Sequence, residues 1–392
     1  MPATIPASAA DLMTPRQAAD PYSLYRELRE HTPFPAPREG SSSAMWPLMK
    51  YHDVYGALKD HTTFSSGAST QPDHGAISLP LINDDPPRHT RFRKLVSKTF
   101  TPRRIADVEP WIKETSDALF ASIGDGETDV VSNYTVPLPV KAIARILGIP
   151  GEEYQTFKRW TDALLSFSPA GEDAAYRLQQ LQEMTVYFGK MVAARREHGS
   201  NDIITLLVEG DGEGKLEDWE ILGFATLLLV AGNETTTNLM GNMINHLAHD
   251  PALYRRLRED RSLVDTAIEE MLRFESPVQV LFRKTLKDVT LPSGGFIPEG
   301  EVVGVYFGAA NRDPEGWDDV DSFRLDRNLR DHVAFGMGIH YCLGSPLARA
   351  EARVTVNNLL DRYETIAPAG EGVRQTSAPI VFGFRDLPVR LG

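Results

Sequence analysis

Residues 217–249 read as one unbroken helix, and a helix of that length constrains everything around it. Apolar residues recur along it at helical spacing and no proline interrupts it. About 33 residues at 1.5 Å per residue extend about 50 Å, enough to cross an entire domain. The neighbouring segments carry the same period: 20–31, 105–124, 134–147, 152–167, 172–197, 250–259, 262–275 and 343–360. Strand signals are fewer, with alternation over 301–307, 378–384 and 389–391, and a turn at 41–43 leading into another strand. Residues 311–341 are rich in turn formers and lack periodicity, and so long an irregular stretch inside a compact domain points to function. No repeat, low-complexity tract or linker divides the chain. The expected architecture is mainly α with a minor β part, in a single domain spanning 1–392.

Composition removes several function classes. The 41 Lys+Arg against 54 Asp+Glu leave a formal charge of −13, which argues against a nucleic-acid partner because phosphate binding needs clustered basic residues. The longest strongly apolar stretch, 224–231, is far short of a membrane span, so no membrane insertion is expected. Residues 1–11 lack the basic and apolar regions of a secretory signal, and the chain reads as soluble and cytoplasmic. The single cysteine, Cys342, excludes an intramolecular disulfide, a structural Cys-type zinc site and an all-cysteine iron–sulfur cluster.

That cysteine lies in Phe335-Gly336-Met337-Gly338-Ile339-His340-Tyr341-Cys342-Leu343-Gly344, at the mouth of a helical run. Unpaired N–H groups and the positive end of the helix dipole favour a thiolate there. Gly336 and Gly338 allow sharp turns and close approach to a flat object. One thiolate can serve only a metal whose remaining ligands come from elsewhere, and haem iron meets that condition. The pattern Phe-x-x-Gly-x-x-x-Cys-x-Gly resembles the haem-binding signature of the cytochrome P-450 superfamily. The resemblance implies Cys342 as the iron ligand and Phe335, Gly336, Cys342 and Gly344 as haem contacts, with Phe335 shielding the proximal thiolate.

Further matches follow in the family's order. Glu270-Met271-Leu272-Arg273 resembles the Glu-x-x-Arg pair that locks the irregular loop onto the core. Taken alone, that spacing is an ordinary exposed i,i+3 pair. The family usually adds a basic third partner just before the phenylalanine of the loop. Here Ser322 precedes Phe323, so Arg324 or Arg327 is expected to complete the network. His89 and Arg93 stand four apart on a helix and can face one anion. By resemblance His89, Arg93, Arg283 and His340 hold the haem propionates, while Arg91 and Lys94 face solvent or a redox partner.

The long helix contains Ala231-Gly232-Asn233-Glu234-Thr235-Thr236-Thr237. Glycine in mid-helix costs about 1 kcal/mol relative to alanine, and a β-branched run adds to the penalty. Breaking local rules in this way marks function. The run resembles the family's Ala/Gly-Gly-x-Asp/Glu-Thr motif, which implies that small Ala231 and Gly232 let the haem face and a diatomic ligand approach. It also implies catalytic roles for Thr235, as the hydroxyl holding dioxygen and a water, and for Glu234, as the acid feeding protons inward. His246 and His249 read as surface residues, and Tyr341 and Met337 as packing groups. Arg349 and Arg353 read either as a basic proximal patch for an acidic donor or as an ordinary helix surface.

Taken whole, the resemblance implies a haem b monooxygenase that uses O2 to hydroxylate or epoxidise a hydrophobic small organic molecule. Electrons would come from a separate ferredoxin- or flavodoxin-type donor with its reductase. The family's contact regions place Ile82, Leu228, Val278, Val280, Leu281 and Phe382 at the substrate pocket, roofed by the helices within 152–197 with a joint at 167–171. Two alternatives remain: a peroxide-driven peroxygenase, and a non-catalytic haem-binding sensor on the same fold. Glu234 and Thr235 argue against the first, and the second has no need of them.

Overall fold

In the computed structural model the described residues are 5–37, 44–67, 79–149, 153–165, 172–200, 202–210 and 216–392. The expected turn at 41–43 and the joint at 167–171 lie outside them.

The long helix runs from Asp218 to His249. Glu217 and Glu220 form a reciprocal capping box at its start, satisfying two N–H groups that the first turn leaves open. Asp250 ends it and at once caps the next helix, Pro251–Glu259, by accepting from the Leu253 amide at 2.9 Å. Buried residues recur on all its faces from Glu220 to Ala248, the mark of a helix enclosed by protein rather than laid on a surface. Helices Pro137–Leu147, Tyr154–Leu165, Glu172–Glu197, Val264–Phe274 and Ser345–Arg362 pack around it and share the largest apolar core. Among the described residues, no helix is long and apolar enough to cross a membrane.

The β part lies to one side. Its main sheet has four strands, in which Met45–Leu48 runs parallel to Val302–Tyr306. Val302–Tyr306 pairs antiparallel with Val280–Thr285, which in turn pairs with Phe64–Ser65. A three-stranded sheet joins Gly126–Asp129, Pro388–Leu391 and Ile366–Pro368.

The strands expected at 301–307 and 389–391 are present, but the one at 378–384 is not. Only Phe384–Asp386 is a strand, and the preceding residues make a single bridge, Val278 to Val381. Pro379 cannot donate to a ladder, and two of the backbone carbonyls are claimed by side chains instead. Gln17 Nε2 donates to Pro379 O at 2.9 Å, and Asn242 Nδ2 to Phe382 O at 3.1 Å. Short helices at Tyr51–Lys59 and Ile203–Glu209 add to those read from periodicity. The helix expected from residue 134 opens as a π-helical turn, Val131–Thr135, before settling into Pro137–Leu147 and ending on left-handed Gly148.

Candidate active site

Cys342 sits between the turn Gly338–His340 and the helix Ser345–Arg362. Its amide donates to Phe335 O at 2.8 Å, which closes the loop on itself. Gly336 and Gly338 both take positive φ, 69° and 65°, so the expected sharp turns are there. The close approach at Gly338 is to protein: a Cβ would come within 2.8 Å of Leu58 O, at the end of the helix Tyr51–Lys59. Burial pushes the Cys342 thiol up; the Gly344 and Ser345 amides and the charges of Arg93 and Arg349 pull the other way. A thiol so placed ionises when a bound cation compensates the desolvation. Arg349 lies 4.5 Å above the Phe335 ring, covering this side of the loop.

Four basic side chains from separate segments gather beside the cysteine. The His89 and His340 rings are 4.5 Å apart, and His89, 2 % exposed, leaves Nε2 without a partner. Burial lowers the basicity of each member. Arg283 falls to about 10 and His340 to about 3, while His89 and Arg93 move in the same direction. Neighbouring cations further oppose the two histidines, while Arg93 is favoured by Cys342. Arg283 is favoured by Asp85, and donates to its own strand at Phe282 O, 2.7 Å away. Two desolvated guanidinium charges beside two uncharged imidazoles, one with an orphaned nitrogen, suit a ligand carrying carboxylates, as haem does. Among the described residues no cluster of three His, Cys, Asp or Glu could hold a metal ion.

On the long helix, Thr235 Oγ1 donates to Ala231 O at 2.7 Å, four residues back. Ala231 is exposed and Thr235 partly so, although neighbouring Asn233 and Glu234 are buried; the accessible stripe is therefore narrow. A Cβ on Gly232 would lie 2.4 Å from Ile143 Cδ1, so the glycine also serves the packing of Pro137–Leu147 against the long helix.

The irregular stretch is locked from beneath. Arg273 binds Glu270 through two nitrogens, at 2.8 and 2.7 Å, and donates to the carbonyls of Asn311, Val320 and Ser322. Of the two candidates for the third partner, Arg327 supplies the side chain, Nε to Glu270 at 3.1 Å. Arg324 contributes its backbone amide and turns its guanidinium to Asp326. The loop also covers His246, whose ring centroid is 4.2 Å from that of Phe323; His246 is therefore half-buried rather than a surface residue, while His249 is exposed.

Arg349 and Arg353 do not form an open basic patch. Arg349 pairs with Glu269, which also meets His332, and Arg353 pairs with Asp265 and Glu109. Burial pushes the Glu269 carboxyl up, but Arg349 and His332 outweigh it and hold it at about 2. Tyr341 accepts from Arg349 Nη1 at 3.3 Å, and Met337 packs against the core beneath the main sheet.

Two expected pocket residues, Val280 and Phe382, are enclosed by protein. Val280 is fully buried against the core of Tyr25, Met45 and Tyr306, because strand alternation puts it on the opposite face from Leu281 and Arg283. The Phe382 ring is enclosed by Tyr22, 5.5 Å away edge-on, and the Arg374 guanidinium at 4.1 Å. Ile82, Val278 and Leu281 are half-buried, and Leu228 is buried in the main core. Sequence reasoning missed Ser66 and Asp85. Ser66 Oγ lies 3.0 Å from His340 Nε2, and Asp85 accepts from the Ser66 and Gly67 amides. Only Asp85 carried a signal, its place just before Pro86-Pro87-Arg88-His89.

The chain matches the family described as Cytochrome P450 over residues 140–391. It is 36% identical over 387 residues to the cytochrome P450 monooxygenase PikC of Streptomyces venezuelae, covering 95% of this chain and 91% of that protein. It is also 36% identical over 385 residues to the vitamin D(3) 25-hydroxylase of Pseudonocardia autotrophica, covering 95% and 94%. Among solved structures, CYP109E1 from Bacillus megaterium in complex with testosterone aligns with a TM-score of 0.87 at 37% identity, over 97% of this chain and 100% of that one. Fold and relatives together define a haem-containing oxidoreductase. The chain belongs to the cytochrome P450 family, bacterial in type, and is one of its monooxygenase enzymes.

Proposed function

We propose that this enzyme uses O2 to hydroxylate or epoxidise a hydrophobic small organic molecule, on haem b ligated by Cys342. The observation that carries the reading is the convergence of four desolvated basic side chains, His89, Arg93, Arg283 and His340, beside the single, half-buried cysteine. When bound, haem supplies an iron centre able to activate dioxygen, and a thiolate ligand favours O–O cleavage. The protein's part is then to hold, shield and deliver protons. Arg93, Arg283 and the two histidines anchor the propionates. The Gly344 and Ser345 amides temper the sulfur, and Phe335 under Arg349 keeps water from it.

On the opposite role, Thr235 presents a hydroxyl from a narrow accessible stripe, and its bond to Ala231 O can be exchanged for one to a water. Buried Glu234, next in chain, is the acid that supplies protons to it. Half-buried Ile82, Val278 and Leu281 give the substrate an apolar wall. That wall accords with the testosterone bound to CYP109E1 and with the substrate in the name of the vitamin D(3) hydroxylase. Electrons come from a separate ferredoxin- or flavodoxin-type donor with its reductase. The enzyme works as a single unit in the cytoplasm, where a lone unpaired thiol is at home.

The test is the absorption spectrum of the reduced, carbon monoxide-bound protein. A strongly red-shifted Soret band is expected from thiolate ligation by the single cysteine. A band like that of imidazole-ligated haem overturns Cys342 as the ligand, and absence of haem after haem-supplemented expression overturns the reading entirely. Thr235→Ala is expected to keep reductant consumption while product per electron pair falls on the order of 100-fold, the usual scale of a lost proton-transfer group. Unchanged coupling, measured as product against reductant consumed, removes Thr235 from the mechanism.

A further inference from the structure

Asp85 is an acid set among bases. It stands three residues ahead of the helix Arg88–Val96, which carries His89 and Arg93, and its charge reaches both Arg283 and His340. Its carboxylate accepts three hydrogen bonds from a single turn: from the Ser65 hydroxyl, from the Ser66 amide at 3.0 Å and from the Gly67 amide at 3.1 Å. Burial raises the carboxyl, and those three donors outweigh it, so Asp85 stays ionised. The grip is close. A Cβ on Gly67 would lie 3.1 Å from Asp85 Oδ2.

The turn so held is the end of the strand Phe64–Ser65, which pairs with Val280–Thr285 beside Arg283. It places Ser66, 1 % exposed, with its hydroxyl 3.0 Å from His340 Nε2. Asp85 thereby connects three segments distant in sequence: the strand bearing Arg283, the helix bearing His89 and Arg93, and the cysteine loop bearing His340.

We propose that Asp85 is a positioning residue for the cofactor: through the 65–67 turn and the Ser66 hydroxyl it orients His340 toward a haem propionate. The inference rests on the haem reading given above. It makes a prediction opposite to that of charge alone. Removing an acid beside a basic cluster would, by Coulomb attraction, tighten an anionic cofactor. Removing a positioning residue loosens it, as outer-shell partners of bound metals do by about 10- to 100-fold.

The experiment uses holoprotein and follows haem transfer to excess apomyoglobin. Wild-type protein is first checked for the red-shifted carbon monoxide band, so that a failure of the haem-thiolate reading is seen before any variant is scored. Asp85→Asn is expected to speed haem transfer about 10-fold, and Ser66→Ala about 5-fold, the equivalent of one ordinary net hydrogen bond. The double variant should be no faster than Asp85→Asn, because both act along one route. Transfer that is unchanged or slowed in Asp85→Asn overturns the proposal in favour of charge. Faster transfer in Asp85→Asn with none in Ser66→Ala, or additive effects in the double variant, overturns the route through His340. If Asp85→Asn does not accumulate as holoprotein, Ser66→Ala decides alone: a wild-type rate overturns the proposal, and a faster one supports it.

Discussion

Arg273→Ala is expected to leave almost no folded, haem-loaded protein. The Arg273 side chain is 0 % exposed, as is that of its partner Glu270. Breaking a buried ion pair from one side costs about 3–5 kcal/mol, because the remaining charge stays buried. Arg327 still reaches Glu270 and the Ser322 carbonyl, at 3.1 Å each, but nothing replaces the donors that Arg273 gives to the carbonyls of Asn311 and Val320. Each buried acceptor left open adds about 1–3 kcal/mol. Against a typical total stability of about 5–15 kcal/mol, these losses are decisive. Arg273→Lys should fare little better, since an ammonium cannot make a two-nitrogen contact with Glu270 and reach three carbonyls as well. Thermal unfolding with haem content measured in parallel is the check. A variant that melts with wild type and keeps its haem would show that the irregular stretch is held by something else.

Cys342→Ser separates cofactor binding from chemistry. The variant is expected to fold and to retain haem, because His89, Arg93, Arg283 and His340 are untouched. The red-shifted carbon monoxide band should vanish, and turnover should drop at least about 10³-fold, the upper range for loss of one directed electrostatic group. The cause lies in the environment already described. Burial raises even the thiol, and a hydroxyl, far less acidic, stays neutral in the same place. A serine variant with the band intact, or with wild-type turnover, takes the iron away from residue 342.

How much was legible in the sequence depended on the range of the forces involved. The capped helix Asp218–His249 and the amphipathic helix Val264–Phe274 could be read closely, because their periodicity is local. The cysteine loop was legible as a motif, its glycines and the following helix lying within a few residues. What failed was decided at a distance. Whether 378–384 forms a strand turned on Gln17, which takes the Pro379 carbonyl from across the chain. The facing of Val280 depended on which side of its strand meets the core of Tyr25 and Met45, a matter of sheet register that the apolar pattern alone leaves undetermined. That a Cβ at Gly232 would meet the Ile143 side chain of another helix was equally out of reach of a local pattern. Arg327 was one of two candidates beside Glu270, separated only by where its guanidinium reaches.

The basic cluster and the cysteine also set an order of events in biosynthesis. Roughly 250 residues separate His89 from Cys342, and Arg283 and His340 emerge late in that interval. At about 5–20 residues per second, a ribosome takes about 13–50 s to cover the distance. The helix bearing His89 and Arg93 therefore waits, without the segments that bury it, until most of the chain has been made. Loading of the prosthetic group becomes a step that follows translation. On the haem reading proposed above, a cell short of haem is expected to hold less of this enzyme, because a chain without its ligand is less stable and more open to proteases and chaperones.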